Sequence, residues 1–181
     1  MKKLVIIGSS GFVGKSLNDF LKKKNRIKLL NYSRTEGKNI INIKKLPKSN
    51  YIIYCINNKN INKSLNYFFY FKKLLNKSHK KNIKILFFSS GAVYGPRSTM
   101  KKFNEKEKID KNNYKKFSGY KKSYSKEKYI LENEFKKIAR EGYKVSIVRG
   151  FTFYGKHILN YNYLISKLIQ ATKSKKKIII N

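Results

Sequence analysis

The sequence predicts an α/β fold, a doubly wound parallel sheet, on three observations. Short apolar runs of strand length alternate along the chain with longer segments of helical periodicity, the pattern of repeated strand–helix–strand units. The first run, Lys3–Ile7, ends in a glycine-rich turn that opens directly into a helical segment. The 181 residues are 40 % apolar, enough for one domain with a real core and too apolar for a disordered chain.

Each element follows from its pattern. Lys3–Ile7 is a short apolar run stopped by Gly8, hence a buried strand. Phe12–Lys24 places Phe12, Val13, Leu17, Phe20 and Leu21 at helical spacing. Ile27–Tyr32 reads as the second strand, Asn39–Ile43 as a short third and Tyr51–Ile56 as another buried one. Ser64–Lys77 is helical and apolar on nearly every side, through Leu65, Tyr67, Phe68, Phe69, Tyr70, Phe71, Leu74 and Leu75. One face of it can pack on the sheet; the other needs cover, and a second copy of the chain is the expected source. Ile83–Phe88 is the next strand and runs into Ser89-Ser90-Gly91. Residues 96–119 are polar and expected as a loop. Tyr120–Glu141 is a long helix stopped by Gly142, and Tyr143–Val148 a sixth strand. Leu159–Thr172 reads as a further helix, and Lys177–Ile180 as the start of another strand. The chain has no internal repeat.

Composition excludes several classes. Lys and Arg number 44 against 9 Asp and Glu, a formal net charge of +35. The charge is nearly all lysine spread along the whole chain, and the arginines are only Arg26, Arg34, Arg97, Arg140 and Arg149. Base readout and bidentate phosphate grip favour arginine, so no specific nucleic-acid role is expected, only salt-sensitive adhesion to polyanions. No apolar run approaches the roughly 18 residues that span a bilayer, so no membrane partner is expected. The apolar stretch Leu4–Ile7 is too short for a signal peptide. A single cysteine, Cys55, allows no internal disulfide and reads as a buried, inert thiol; a cytoplasmic location is expected. His79 and His157 are isolated, and no metal site is expected.

The turn after the first strand is Gly8-Ser9-Ser10-Gly11-Phe12-Val13-Gly14, with glycines spaced G-x-x-G-x-x-G. Glycine suits a sharp turn whose backbone approaches a phosphate, and the following helix offers free N–H groups to the anion. A Rossmann-type dinucleotide site is the functional reading, and a tight strand-to-helix turn without a ligand is the plain one. The same residues nearly spell a phosphate loop, since Ser9 to Ser16 reads S-S-G-F-V-G-K-S. Such a loop needs glycine where Ser9 stands, so a P-loop NTPase is a poorer fit.

Three further segments follow in order: Phe87-Phe88-Ser89-Ser90-Gly91-Ala92-Val93-Tyr94-Gly95, then Tyr124-Ser125-Lys126-Glu127-Lys128-Tyr129-Ile130-Leu131-Glu132, then Arg149-Gly150-Phe151-Thr152-Phe153-Tyr154-Gly155. A second Y-x-x-x-K match, Tyr163 to Lys167, falls outside this order. With the glycine loop, the set resembles the extended short-chain dehydrogenase/reductase family, the NAD(P)-dependent epimerase/dehydratase group acting on nucleotide sugars. Asn66 and Glu105 stand where the family carries an asparagine and a recurrent acid. The resemblance implies residues 1–155 as the NAD(P)-binding domain and 156–181 as the start of a substrate-binding region that family members continue well beyond.

The resemblance also implies roles. Ser90, Tyr124 and Lys128 are the expected catalytic set for hydride transfer at a carbinol or keto carbon. A free phenol is a poor base at neutral pH, a nearby cation favours the phenolate, and a spacing of four puts both side chains on one helix face. Gly8, Ser10, Gly11, Phe12, Val13 and Gly14 are expected at the cofactor, with Cys55, Ile56 and Asn57 after the fourth strand and with Tyr124 and Lys128. An NAD-specific site ends its second strand in an acid. Here Asn31-Tyr32-Ser33-Arg34 precedes any acid, so Ser33 and Arg34 are expected to favour NADP(H), with NAD tolerated. Gly91 and Ala92 stand where dehydratases place an acidic pair, which leaves an epimerase or a reductase. A nucleotide-sugar substrate and a homodimer complete the expectation. The alternative of another class is a catalytically silent NAD(P)-binding sensor or scaffold, or an inactive fragment.

Overall fold

The computed structural model describes residues 1–33, 38–58, 60–78, 81–96, 102–158 and 164–174. Its strands are β1 (Lys2–Ile7), β2 (Ile27–Ser33), β3 (Lys38–Asn39), β4 (Tyr51–Tyr54), β5 (Lys84–Ser90) and β6 (Lys144–Gly150). They pair in parallel in the order β3-β2-β1-β4-β5-β6. The order reverses between β1 and β4, which makes the sheet doubly wound, of Rossmann type. The helices are α1 (Phe12–Lys22), α2 (Ile61–Ser78), α3 (Gly119–Arg140) and α4 (Leu164–Ser174).

Alternation along β1 shows why both faces are covered. Leu4 and Ile6 pack with Leu17 and Leu21 of α1, while Val5 and Ile7 face the larger core on the other side. That core centres on Tyr54, Phe68, Phe71, Phe87 and Phe135, all fully buried. Phe135 of α3 stacks on Phe87 of β5 at 4.4 Å between ring centroids. The same aromatics join α2 and α3 to the sheet below the site.

Two expectations change. Asn39–Ile43 is not a strand: pairing stops at Asn39, and Ile40–Asn42 is a 3-10 turn. The Asn39 side chain accepts the Ile41 N–H and so caps the turn, a local bond that competes with the sheet ladder. The cover expected for the second face of α2 comes largely from this chain. The Tyr70 hydroxyl donates to the Ile43 carbonyl at 2.8 Å, and Leu65, Tyr67 and Ile43 pack against the core; Phe69 stays 52 % exposed. Within the polar stretch 96–119, Asn113–Lys116 forms a 3-10 turn. Residues 159–163 and the expected strand Lys177–Ile180 lie outside the described residues. No helix among the described residues is long and apolar enough to cross a membrane.

Candidate functional site

A cleft of about 560 Å³ opens where the strand order reverses. Its floor is the first loop, with Gly8, Ser10, Gly11, Phe12 and Val13 on its wall. The loop has this shape because glycine is required twice. Gly8 sits at φ +98°, and a Cβ there would lie 2.8 Å from the Cys55 backbone. A Cβ on Gly14 would strike the Gly8 carbonyl. The Gly11 N–H donates to the Gly8 carbonyl at 3.1 Å, which closes the turn. Helix α1 then starts with no side-chain cap and no acid in its first turn. Its first N–H groups have no intrahelical partner and suit a diphosphate. The donor set and the glycine cradle therefore fit a dinucleotide. Lys15 lines the same wall and adds a cation that the sequence reading gave only to the phosphate-loop alternative.

The far wall carries Cys55, Ile56 and Asn57 from the end of β4, Ser90 from the end of β5, and Tyr124 and Lys128 from α3. Lys128 is 3 % exposed, and its Nζ donates to the Ile56 carbonyl at 3.3 Å. That nitrogen stands 5.6 Å from the centre of the Tyr124 ring. Burial pulls the Lys128 ammonium below its ordinary pKa, and Glu127 partly opposes the shift. Glu127 is itself buried and accepts from the Ser64 hydroxyl of α2 at 2.8 Å. The Ser90 Oγ accepts the Ala92 N–H at 3.2 Å, capping the 3-10 turn Gly91–Tyr94. The Cys55 thiol donates to the Ile7 and Gly8 carbonyls, and burial pushes it up to about 12.

Two further expected residues are buried beside the cleft: Gly14 beneath the loop, and Ser33 at the end of β2, directly after Tyr32, whose carbonyl accepts the Gly8 and Ser9 N–H groups. Arg34 lies outside the described residues. Asn66 is exposed on α2, and the Glu105 carbonyl accepts from Arg149 at 3.3 Å. Tyr163 of the second Y-x-x-x-K match lies outside the described residues, and its Lys167 is exposed on α4.

Sequence reasoning missed the closing wall. Phe151, Thr152, Phe153 and Ile158, after β6, line the cleft. Phe153 meets Phe12 and Phe88, and Phe151 stacks with Phe103 and Tyr94 while 61 % exposed. Gly91 and Gly150 permit this, because a Cβ at either would run into Phe151 or Phe153. The signal was present in the Arg149–Gly155 segment, but nothing in its spacing told which way the rings turn.

The family described as the NAD dependent epimerase/dehydratase family matches residues 4–181. No curated protein matches the sequence. Among solved structures, RMD from Pseudomonas aeruginosa complexed with NADPH superposes with a TM-score of 0.71 at 18 % identity, covering 98 % of this chain and 63 % of that one. UDP-N-acetylglucosamine 4-epimerase from Bacillus cereus gives 0.71 at 17 %, covering 98 % and 64 %. The dTDP-glucose 4,6-dehydratase from Bacillus anthracis in complex with NAD gives 0.69 at 16 %, covering 98 % and 63 %. The chain thus spans less than two thirds of the length of these relatives.

Proposed function

This chain belongs to the NAD dependent epimerase/dehydratase family, and on that premise we propose that its cleft binds NADP(H) and serves hydride transfer at a carbinol or keto carbon of a nucleotide sugar, as an epimerase or a reductase. The observation that carries the reading is a single cleft, lined at once by the glycine loop and by Ser90, Tyr124 and Lys128. The phosphate-loop alternative falls with the family. We read residues 1–155 as the NAD(P)-binding unit and 156–181 as the beginning of a substrate-binding region.

The nicotinamide, when bound, supplies or accepts the hydride. The first loop and α1 hold the diphosphate through backbone N–H groups. Tyr124 takes the proton from a substrate hydroxyl, or returns it to a carbonyl oxygen. Lys128, as an ammonium beside the ring, favours the phenolate form of Tyr124. The Ser90 oxygen is already an acceptor for Ala92, which leaves its O–H to donate to the reacting oxygen. Gly91 and Ala92 supply no carboxylate, and Phe151 occupies the space a larger side chain at Gly91 would need. That favours epimerisation or reduction over dehydration.

Tyr124→Phe removes only a hydroxyl. It should lower turnover by at least about 10²-fold while leaving the Tm unchanged. Near-wild-type turnover would show that Tyr124 is not the base. A protein that binds NADPH and never turns over a nucleotide sugar would favour the sensor or scaffold role. Cofactor choice is read separately, by titrating NADPH and NADH at fixed ionic strength. The absence of an acid in Asn31-Tyr32-Ser33 supports tighter NADPH binding, with the preference reduced in Arg34→Ala. Equal affinities, or tighter NADH, would overturn the NADP assignment alone.

A further inference from the structure

We infer that Glu132 and Arg149 are positioning residues: the ion pair between buried Glu132 and half-buried Arg149, joined by the Ser89 hydroxyl, sets where α3 holds Tyr124 and Lys128 relative to Ser90. The inference rests on the reading of those three residues given above and adds the device that holds them in register.

Tyr124, Lys128 and Glu132 recur every four residues, so they form one stripe along α3. Helical spacing turns the stripe towards the sheet but does not fix how far α3 slides along β5. Glu132 supplies that stop. It is 1 % exposed, and its Oε1 accepts from the Ser89 Oγ at 2.6 Å and from the Arg149 Nε at 2.9 Å. Its Oε2 accepts from the second Arg149 nitrogen, NH2, at 2.9 Å. This fork fixes orientation as well as distance. Ser89 and Arg149 are direct register partners on β5 and β6, so α3 is tied to two adjacent strands one residue below Ser90.

A second tie lies on the other side. The Ser125 hydroxyl donates to the Ala92 carbonyl at 2.7 Å, and the Ala92 N–H donates to Ser90. The remaining Arg149 nitrogen, NH1, donates to the Tyr94 hydroxyl at 2.7 Å, which holds the turn that contains Ala92. The two ties bracket Lys128 along α3 and Ser90 along the chain. Buried ion pairs are a weak source of net stability, because desolvation offsets much of the attraction. A geometric role accounts for two charges here better than a stabilising one.

The test uses the full chain labelled with ¹³C at tyrosine Cζ and saturated with NADPH. The Tyr124 signal is assigned by its loss in Tyr124→Phe, and its titration midpoint is measured in wild type, Lys128→Met, Ser89→Ala, Glu132→Gln and Arg149→Lys. The wild-type midpoint should lie below that of Lys128→Met. Ser89→Ala keeps the ion pair and should move the midpoint part of the way towards Lys128→Met. Glu132→Gln should move it further, and Arg149→Lys, which keeps the charge but not the fork, should fall between. NADPH is held at saturation for every variant, since Tyr124 and Lys128 also stand at the expected cofactor site. Folded variants with lower Tm but an unmoved Tyr124 midpoint would overturn the inference. Should Glu132→Gln not fold, Ser89→Ala and Arg149→Lys decide. A wild-type midpoint equal to that of Lys128→Met is a different result: it removes the Tyr124–Lys128 pairing itself, and the inference with it.

Discussion

At the scale of single residues, Lys128 shows function set against stability. A buried ammonium costs free energy unless it is paired, and its hydrogen bond goes to the Ile56 carbonyl at 3.3 Å, a neutral acceptor. Its folded-state pKa lies below the ordinary lysine value, so the unfolded chain binds the extra proton more readily. Stability therefore rises with pH between the lowered folded-state value and 10.5, and the deficit is fully present below that window. Lys128, whose Nζ lies 5.5 Å from the centre of the Phe87 ring, suits a methionine, so Lys128→Met should raise the Tm at pH 7 and abolish turnover. The gain should shrink as the pH is raised towards 10. Urea midpoints at pH 7 and pH 9.5 check this, and a Met variant less stable at pH 7 would contradict it. Lys128 was legible because Y-x-x-x-K sits in order between two other segments. Its carbonyl partner and the Ser89–Glu132–Arg149 link were not, since residues 43 and 17 apart meet only through the sheet.

At the scale of elements, periodicity located the four α-helices among the described residues and the strands β1, β2, β4, β5 and β6, because burial imposes spacings of 3.6 and 2 that composition bias does not erase. It failed at Asn39–Ile43, where an Ile-Ile pair imitates a strand and one asparagine cap decides otherwise. Contacts across elements were less legible still. The apolar excess of α2 reads as a surface needing a partner, yet Phe68 and Phe71 join Tyr54, Phe87 and Phe135 in one aromatic cluster. Phe135 touches the other four rings and anchors α3, the helix that carries Tyr124 and Lys128. Phe135→Ala should cost about 3–5 kcal/mol, the range for large-to-small changes in a packed core. Equilibrium urea unfolding measures it. A loss under about 1 kcal/mol would mean that the cluster relaxes around the cavity.

At the scale of the whole molecule, the charge of +35 opposes any assembly of identical copies. Phe69, 52 % exposed on α2, is the apolar group of that helix that a second copy would cover. The same helix exposes Lys63, Lys73 and Lys77, so each copy brings lysines towards its partner. Apolar burial is insensitive to moderate salt, whereas repulsion between exposed lysines is screened once the Debye length falls from about 10 Å at 0.1 M to a few ångströms near 1 M. The two terms together predict a homodimer that strengthens with ionic strength, the reverse of an assembly held by salt bridges. Light scattering at micromolar concentration should give a mean mass that rises towards twice the monomer as sodium chloride goes from 0.05 to 0.5 M. Phe69→Lys should abolish the rise without changing NADPH affinity, because Phe69 is remote from the cleft lining. A stable monomer at both salt concentrations would remove the second copy as a partner and leave Phe69 an isolated surface ring.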